Sequence, residues 1–258
     1  MLELTTEYDV MTVRQVFYAL TVRGIVPKTE NGGYRPVQTQ VLKVRREGLL
    51  PWSFIADATR WQRKPQSWDS VDDALHATWK TYRRNLWRSQ SLRPEIWLEK
   101  DALAGVVMEA TEAWDVPLMV SRGQASNTYC YNAAQAIDET GRRGYTTIVF
   151  LLYDADRSGR VAASKVAEKL TTYATLSVYC ELLAVTDAQI SEWGLPTRPA
   201  KEDVDDIAVE LDAIPPDRLV RLVDDAIRNL VDADAWEKEQ AVEDDERDVL
   251  ERIVGGAA

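Results

Sequence analysis

In the first part of the chain, apolar residues recur at helical spacing and short turn-rich segments separate them. The string MTVRQVFYAL, residues 11–20, places its apolar side chains on one helical face, with Thr12 as the candidate N-cap and Gly24 as the stop. A second helical pattern over residues 37–46 follows the turn-rich string KTENGGYRP. LLPWSFIADATR is suited to the short strands of a wing, and DSVDDALHATWKTYRRNLW predicts a longer helix. These elements predict a winged-helix-like domain over residues 1–93.

Beyond residue 93 the pattern changes to short apolar runs that alternate with amphipathic stretches. The apolar runs are EIWLE, VPLMV, TTIVFLLYD and LSVYCELLAV. Such alternation is typical of an α/β fold with a parallel sheet. We therefore predict a Rossmann-like parallel-sheet domain over residues 94–200. An acidic helical extension over residues 201–258 should follow it, with helices near 217–231 and 235–254.

Charge is distributed unevenly along the chain, whose formal net charge is −11. Residues 1–97 hold 15 Lys and Arg against 10 Asp and Glu, whereas residues 201–258 hold 7 against 19. Because phosphate binding needs local positive charge, the basic part is the predicted face for double-stranded DNA. Its predicted contacts end the second helix and are Lys43, Arg45 and Arg46. Ordinary surface charge is the alternative interpretation.

The apolar residues form no run long enough to cross a membrane, and the first residues do not have the pattern of a signal peptide. We therefore expect an intracellular, cytoplasmic protein without a membrane partner.

Three carboxylates follow the predicted strands: Glu99 after the first, and Asp154 and Asp156, in LLYDADRSG, after the third. Because the carboxyl ends of parallel strands meet at one edge of a sheet, these side chains should converge. Mg²⁺, or Mn²⁺ in its place, prefers such oxygen ligands and can polarise a phosphodiester. Gly159 would allow a close approach of the backbone there. Helix capping or simple solvation is the alternative role for acidic residues at strand ends.

The ordered set of strand–Glu–helix, strand–Gly–helix and strand–DxDxxG–helix resembles the Toprim domain. This metal-binding fold is shared by type IA, type II and type VI topoisomerases, bacterial primases and several nucleases. The strings WLEKDALAG, VSRGQAS and YDADRSG are similar to motifs of the topoisomerase VI A subunit. VRQVFY is similar to the segment bearing the catalytic tyrosine in that subunit and in its meiotic double-strand-break relative. The resemblance covers roughly residues 11–190 and implies a winged helix followed by a Toprim domain.

This resemblance implies magnesium-dependent cleavage of double-stranded DNA by a homodimer. Tyr18 of one subunit would attack the phosphodiester held at the metal site of the other and form a 5′-phosphotyrosyl link. Arg14, one helical turn before Tyr18, and Lys100 would assist at the phosphate. Arg122 and Gly123 of VSRGQAS would lie against DNA. The implied metal ligands are Glu99, Asp154 and Asp156.

Only about ten residues precede the tyrosine helix, so we do not expect a segment that docks onto an ATP-hydrolysing B subunit. The size and layout are closer to the compact Mini-A relatives found in viruses, phages and other mobile elements. Two other functions stay open. A hydrolytic Toprim nuclease would use metal-activated water, with Tyr18 serving only in the core. A non-catalytic DNA-binding or regulatory protein would keep the metal site without turnover.

Overall fold

A computed structural model describes residues 2–55, 66–199 and 207–255, which form a mixed α/β fold with helices around a parallel sheet. In chain order the main elements are α1 (Val13–Val22), α2 (Arg35–Arg46), α3 (Val71–Thr81), β1 (Leu92–Leu98), α4 (Ala104–Ala113), β2 (Leu118–Val120), α5 (Asn127–Arg142), β3 (Thr146–Leu152), α6 (Arg157–Tyr173), β4 (Val178–Ala184), α7 (Asp187–Trp193), β5 (Arg198–Pro199), β6 (Ile207–Ala208), α8 (Pro216–Arg228) and α9 (Ala233–Gly255).

The main sheet has the strand order β2-β1-β3-β4, and all its strands are parallel. The four strands and the helices between them confirm the α/β pattern predicted for residues 94–200. Leu98 at the end of β1 pairs with Leu152 at the end of β3, so the chain leaves both strands at the same level. Residues 99 and 153–156 therefore lie together at the carboxyl edge of the sheet.

Side chains of the central strands are buried on both faces of the sheet. Ile96, Leu98 and Leu152 face a cluster that also includes residues of α1, α2, α4 and α8. Trp97 and Leu151 face the opposite cluster, built with α5 and α6. Burial on both sides explains why these strands are almost continuously apolar rather than alternating.

The first helix begins as predicted, since the Thr12 side chain accepts a hydrogen bond from the Gln15 backbone and the two residues form a capping box. The predicted wing is described only in part. Trp52–Phe54 form a 3₁₀ turn and Ile55 makes an isolated parallel bridge to Met11, while residues 56–60 lie outside the described residues.

The helix predicted to run to Trp87 ends earlier, at Thr81. The backbone adopts an extended conformation at Tyr82, and contacts with α9 hold the segment that follows. The Tyr82 hydroxyl donates to Glu246, and the Arg84 guanidinium donates to Glu239 and Glu246. These long-range contacts replace the last turns of the predicted helix.

Residues after β4 return to the sheet rather than standing apart from it. β5 and β6 pair antiparallel, and Val209 bridges to Ala155 at the carboxyl edge of the sheet. Both predicted C-terminal helices are present, as α8 and α9. Phe17, Ile96 and Leu219 belong to one hydrophobic cluster, which thus joins all three predicted segments. The boundaries at residues 93 and 200 stay predictions.

None of the helices within the described ranges has the length and apolar character needed to cross a membrane.

Candidate functional site

Glu99 lies at the carboxyl edge of the sheet, as its position after β1 predicts. Its backbone amide donates to the Leu152 carbonyl at 3.1 Å, and its Oε2 accepts the Asp154 amide at 3.2 Å. Gly123, after β2, donates its amide to the Glu99 carbonyl at 3.2 Å. These bonds bring the segments after three adjacent strands together around one carboxylate.

Asp154 and Asp156 lie in the short segment between β3 and α6. Asp156 caps α6, because its Oδ1 accepts the Gly159 amide at 2.8 Å. A Cβ at Gly159 would lie 2.3 Å from the Asp154 carbonyl oxygen, so only glycine fits. The glycine is therefore explained by contact with the protein's own backbone, and a close approach to a metal or phosphate at Gly159 stays a prediction.

The sequence did not single out two further carboxylates at this edge, Glu210 and Asp212. Both follow β6, and the bridge between Val209 and Ala155 carries them to the ends of β1 and β3. Lys100 Nζ lies among the acidic groups, 2.7 Å from Asp212 Oδ2, 3.0 Å from Asp154 Oδ2 and 3.4 Å from Glu210 Oε2. In the sequence both residues belong to the string VELDA, in which acidic and apolar residues alternate. The many acidic residues around this string make it look like an ordinary charged segment.

Two arginines also contact these carboxylates and connect other elements to the carboxyl edge of the sheet. Arg14 of α1 lies 3.1 Å from Glu210 Oε2. Arg198 lies 3.4 Å from Asp156 Oδ2 and 3.5 Å from Glu210 Oε1. We call the five carboxylates and three cations the edge network; its members are Arg14, Glu99, Lys100, Asp154, Asp156, Arg198, Glu210 and Asp212. Five acids against three cations leave it formally negative.

Burial and crowding shift the pKa values of this network in opposite directions. Burial, together with the neighbouring carboxylate of Asp154, raises the pKa of Glu99. Burial also raises the pKa of Asp154, although Lys100 partly opposes the rise. At Glu210 burial is outweighed by Lys100, Arg14 and Arg198, so its pKa is lowered. Burial thus makes the charged forms of Glu99 and Asp154 costly, and at Asp154 the ion pair with Lys100 offsets only part of that cost.

A pocket of about 1320 Å³ opens onto the edge network. Its acidic wall comes from the ends of β1 and β3, and α1, α2 and the turn between them line another part of it. The residues that this part contributes are Thr12, Val13, Arg14, Glu30, Tyr34, Gln38 and Arg45. Arg157 and Ser158 line the pocket at the N-terminus of α6.

Among the described residues that line this pocket, Tyr18 is not present. It is 4% exposed and lines a separate cavity of about 120 Å³ together with Tyr8 and Asp212. Burial raises the pKa of its phenol, and Glu210 adds to the rise. The hydroxyl is therefore held in its neutral form beside, rather than inside, the large pocket.

The predicted DNA contacts of α2 lie in different environments. Lys43 and Arg46 are exposed, and Lys43 lies 4.0 Å from Glu47. Arg45 lines the pocket, stacks 4.1 Å from the centroid of the Trp52 ring and donates to its carbonyl at 2.9 Å. Of the three residues, Arg45 is thus the one whose side chain is held in place, by its contacts with Trp52.

The loop after β2 carries the other predicted DNA contacts. The Arg122 side chain is 62% exposed and lies 3.1 Å from Asp101. Both Arg122 and Gly123 have positive φ, at 52° and 87°. Glycine adopts this conformation freely, which suits the tight return of the loop to Glu99.

The basic segment before β1 forms a second ion network, with α9. Arg84 lies 2.6 Å from both Glu239 and Glu246, and its backbone amide donates to Glu243 at 3.2 Å. Arg88 lies 3.8 Å from Glu239. We call this group the α9 clamp. It shows that the acidic C-terminal helix neutralises basic residues that otherwise resemble a DNA-binding surface.

Among the described residues, no three or more His, Cys, Asp and Glu side chains are grouped as metal ligands. In this conformation Asp154 Oδ2 contacts Lys100 and Asp156 caps α6. The donor chemistry nevertheless fits Mg²⁺, since Glu99, Asp154 and Asp156 offer only oxygen atoms and line one pocket. Binding a cation there would require the Lys100 contact to rearrange.

No family model, no curated protein and no solved structure matches this chain.

Proposed function

We propose that this protein cleaves double-stranded DNA in a reaction that depends on Mg²⁺ or Mn²⁺. In this proposal residues 94–200 act as a Toprim-type domain, and the N-terminal region acts as a winged-helix-like DNA-binding domain. The observation that carries it is the convergence of Glu99, Asp154 and Asp156 on one pocket whose lining also includes Arg14 and Arg45.

The acidic wall is suited to holding a divalent cation. The pKa values of Glu99 and Asp154 are raised because each is buried with too little opposing charge. A hard cation would supply that charge. When bound, it would polarise a phosphodiester and stabilise charge on the leaving oxygen.

The basic residues of the pocket lining, Arg14 and Arg45, are suited to holding the phosphate backbone. Arg14 is fixed by Glu210 and is therefore positioned before a substrate arrives. Lys100 is already paired with Asp154, Glu210 and Asp212, so its proposed role is to offset the repulsion among these carboxylates until the divalent cation takes its place. Lys43 and Arg46 extend the positive surface beyond the pocket along α2.

The resemblance to the topoisomerase VI A subunit supports a tyrosine transesterase that works as a homodimer. In that mechanism Tyr18 forms the covalent link to DNA. A hydrolytic nuclease is the second candidate, and the burial of Tyr18 favours it. A phenol that is 4% exposed, with a pKa raised by burial, must become accessible before it can attack a phosphodiester.

The test is cleavage of supercoiled plasmid by the purified chain with Mg²⁺, with Mn²⁺ or with a chelator. Parallel reactions use Glu99→Gln, Asp154→Asn and Asp156→Asn, which keep side-chain shape and remove charge. We expect cutting by the parent only with metal, and its loss in all three variants. Thermal melting on the same samples checks that folding persists.

Glu239→Gln is the matched control, because it removes a carboxylate from the α9 clamp, away from the pocket. It should cut like the parent. Equal cutting by the parent and the three pocket variants would refute the metal site. Absence of metal-dependent cutting by the parent on duplex DNA would refute the proposed activity.

A further inference from the structure

We infer that a second pocket, at the edge of the main sheet where β1 and β3 begin, binds a small zwitterion that carries an ammonium group and a carboxylate on a short spacer. The ammonium would pair with Glu95 and the carboxylate with Arg93, both of which line this pocket. We call it the amino-edge pocket. It lies at the opposite end of β1 and β3 from the edge network, so this inference does not depend on the proposed DNA cleavage.

The size and charge of the amino-edge pocket suit such a ligand. Its volume is about 460 Å³, within the usual range of about 300–1,000 Å³ for small-molecule sites. Among the described residues, its charged lining consists of Arg93, Glu95, Asp115 and Arg143. Two acids and two bases balance, and this balance favours a ligand that carries both signs of charge and no net charge.

Glu95 is a partly buried carboxylate without a cationic partner in the part of the chain that the structure describes. Its Oε2 accepts a hydrogen bond from the Trp97 indole at 2.9 Å, and the strand register places it beside Val149, which is fully buried. Burial raises the pKa of Glu95, although the Trp97 hydrogen bond partly opposes the rise. A carboxylate in such surroundings is stabilised when a ligand brings an ammonium group to it.

Arg93 is the complementary case, a cation that has no carboxylate partner among the described residues. Its Nη1 donates to the carbonyls of Gln90 and Leu92, both at 2.9 Å, and its guanidinium carbon lies 3.5 Å from the centroid of the Tyr145 ring. Burial lowers the pKa of Arg93, although Tyr145 partly opposes the fall. These contacts hold the guanidinium in place, and a ligand carboxylate would supply the anion that it does not have.

Strand geometry sets the spacing between the two charges. Arg93 and Glu95 are two residues apart on β1, so their side chains leave the same face of the sheet and their Cα atoms lie roughly 6–7 Å apart. Glu95 contacts Trp97, farther along β1, whereas Arg93 contacts Tyr145, just before β3 begins. Because the two side chains are held apart, a ligand that contacts both needs a spacer of several bonds between its charged groups.

The experiment is isothermal titration calorimetry of the full chain with compounds that differ in their charged groups and spacer. The zwitterions are γ-aminobutyrate, whose spacer has three methylene groups, and glycine, whose spacer has one. Butylamine and butyrate each carry only one of the two charges. We expect saturable binding of γ-aminobutyrate and about tenfold weaker binding of the other three compounds, because each of them engages only one of the two protein charges.

Glu95→Gln and Arg93→Met each remove one charge and keep most of the side-chain volume. Both should weaken binding of γ-aminobutyrate about tenfold or more. Glu95→Gln can still accept the Trp97 hydrogen bond, and its melting temperature should equal or exceed that of the parent, because it removes a carboxylate whose burial is costly. Loss of binding with retained stability distinguishes a ligand contact from a structural role.

Glu192→Gln is the matched control, because Glu192 is an exposed residue of α7 that does not line the amino-edge pocket. It should bind γ-aminobutyrate like the parent. The inference would be overturned by a parent that shows no saturable binding of γ-aminobutyrate, or by unchanged binding in Glu95→Gln or Arg93→Met. Binding of butylamine or butyrate as tight as that of γ-aminobutyrate would equally overturn it, since one charge would then suffice. Each of these results leaves the proposed DNA cleavage to its own test.

Discussion

The edge network and the α9 clamp are both built from paired acids and bases, yet they differ in balance and position. In the α9 clamp, three glutamates of one helix surround Arg84, and Tyr82 and Arg88 share two of them. In the edge network, five carboxylates from separate segments share three cations at the end of the sheet and face a pocket.

This difference is the reason for proposing that the edge network, and not the α9 clamp, binds a ligand. The α9 clamp fastens the C-terminal helix to the segment before β1, where each charge has a local partner. The edge network leaves Glu99 and Asp154 with raised pKa values, which means that their charge is costly in the absence of a further cation. An uncompensated negative site opening on a pocket is the arrangement that a ligand stabilises.

The largest expected effect is that of Lys100→Met, which removes the central cation of the edge network. Asp154, Glu210 and Asp212 would then lose their shared partner, and we expect a loss of about 3 kcal/mol in the free energy of unfolding. Millimolar Mg²⁺ should restore part of that loss by binding the freed carboxylates. Chemical denaturation with and without Mg²⁺ measures both effects.

Arg84→Met is the matched variant in the α9 clamp. It should reduce stability less, and Mg²⁺ should not restore the loss, because the three glutamates come from one helix and do not line the pocket. An equal response of both variants to Mg²⁺ would remove the distinction between the two networks.

The next effect concerns DNA affinity and the basic residues of α2. Charge reversal of Lys43, Arg45 and Arg46 to Glu should weaken duplex binding and lower the slope of log affinity against log salt by up to about 3, because roughly one counterion is released per contact. Fluorescence anisotropy at several salt concentrations measures the slope. Charge reversal of Arg142 and Arg143, at the end of α5, is the control. An unchanged slope in the α2 variant would exclude this face.

The smallest expected effect concerns Asp138, whose carboxylate accepts several hydrogen bonds from the protein. Asp138 accepts hydrogen bonds from the Thr175 amide at 2.8 Å, the Thr175 hydroxyl at 2.7 Å and the Leu176 amide at 2.9 Å. The Thr175 hydrogen bond is the main cause of its lowered pKa. Asp138→Asn should lower the melting temperature by about 2–4 °C at pH 7.

The pH dependence of that difference follows from the direction of the shift. A carboxylate whose pKa is lower in the folded state stabilises the fold above its unfolded pKa, near 4, and loses this contribution as pH falls through the folded value. The melting curves of parent and Asp138→Asn should therefore converge below about pH 4. A difference that stayed constant from pH 7 to pH 3 would show that the Asp138 charge is irrelevant.

Much of the fold was predictable because each element carries a local signal. The apolar runs before Glu99 and Asp154 became β1 and β3, and the caps Thr12 and Ser70 begin α1 and α3. Parallel pairing then brings the strand ends to one edge, as the strand order alone implies.

The rest of the site depends on contacts between distant segments, which local patterns do not encode. Glu210 and Asp212 were read as part of an acidic extension, but the bridge of Val209 to Ala155 brings them to the edge network. Tyr34 was part of a turn-rich string, yet it lines the pocket together with the edge network. Tyr18 stood out through a motif, whereas its burial depends on the assembled core.

The most direct test of the account is a titration of the chain with Mn²⁺, in which electron paramagnetic resonance reports the free ion. We expect saturable binding by the parent, strong loss in Glu99→Gln and Asp154→Asn, and parent-like binding in Glu239→Gln, which alters only the α9 clamp. Mg²⁺ should displace the bound Mn²⁺. Equal binding by all four proteins, or no saturable binding by the parent, would contradict the claim that the edge network is a divalent-metal site.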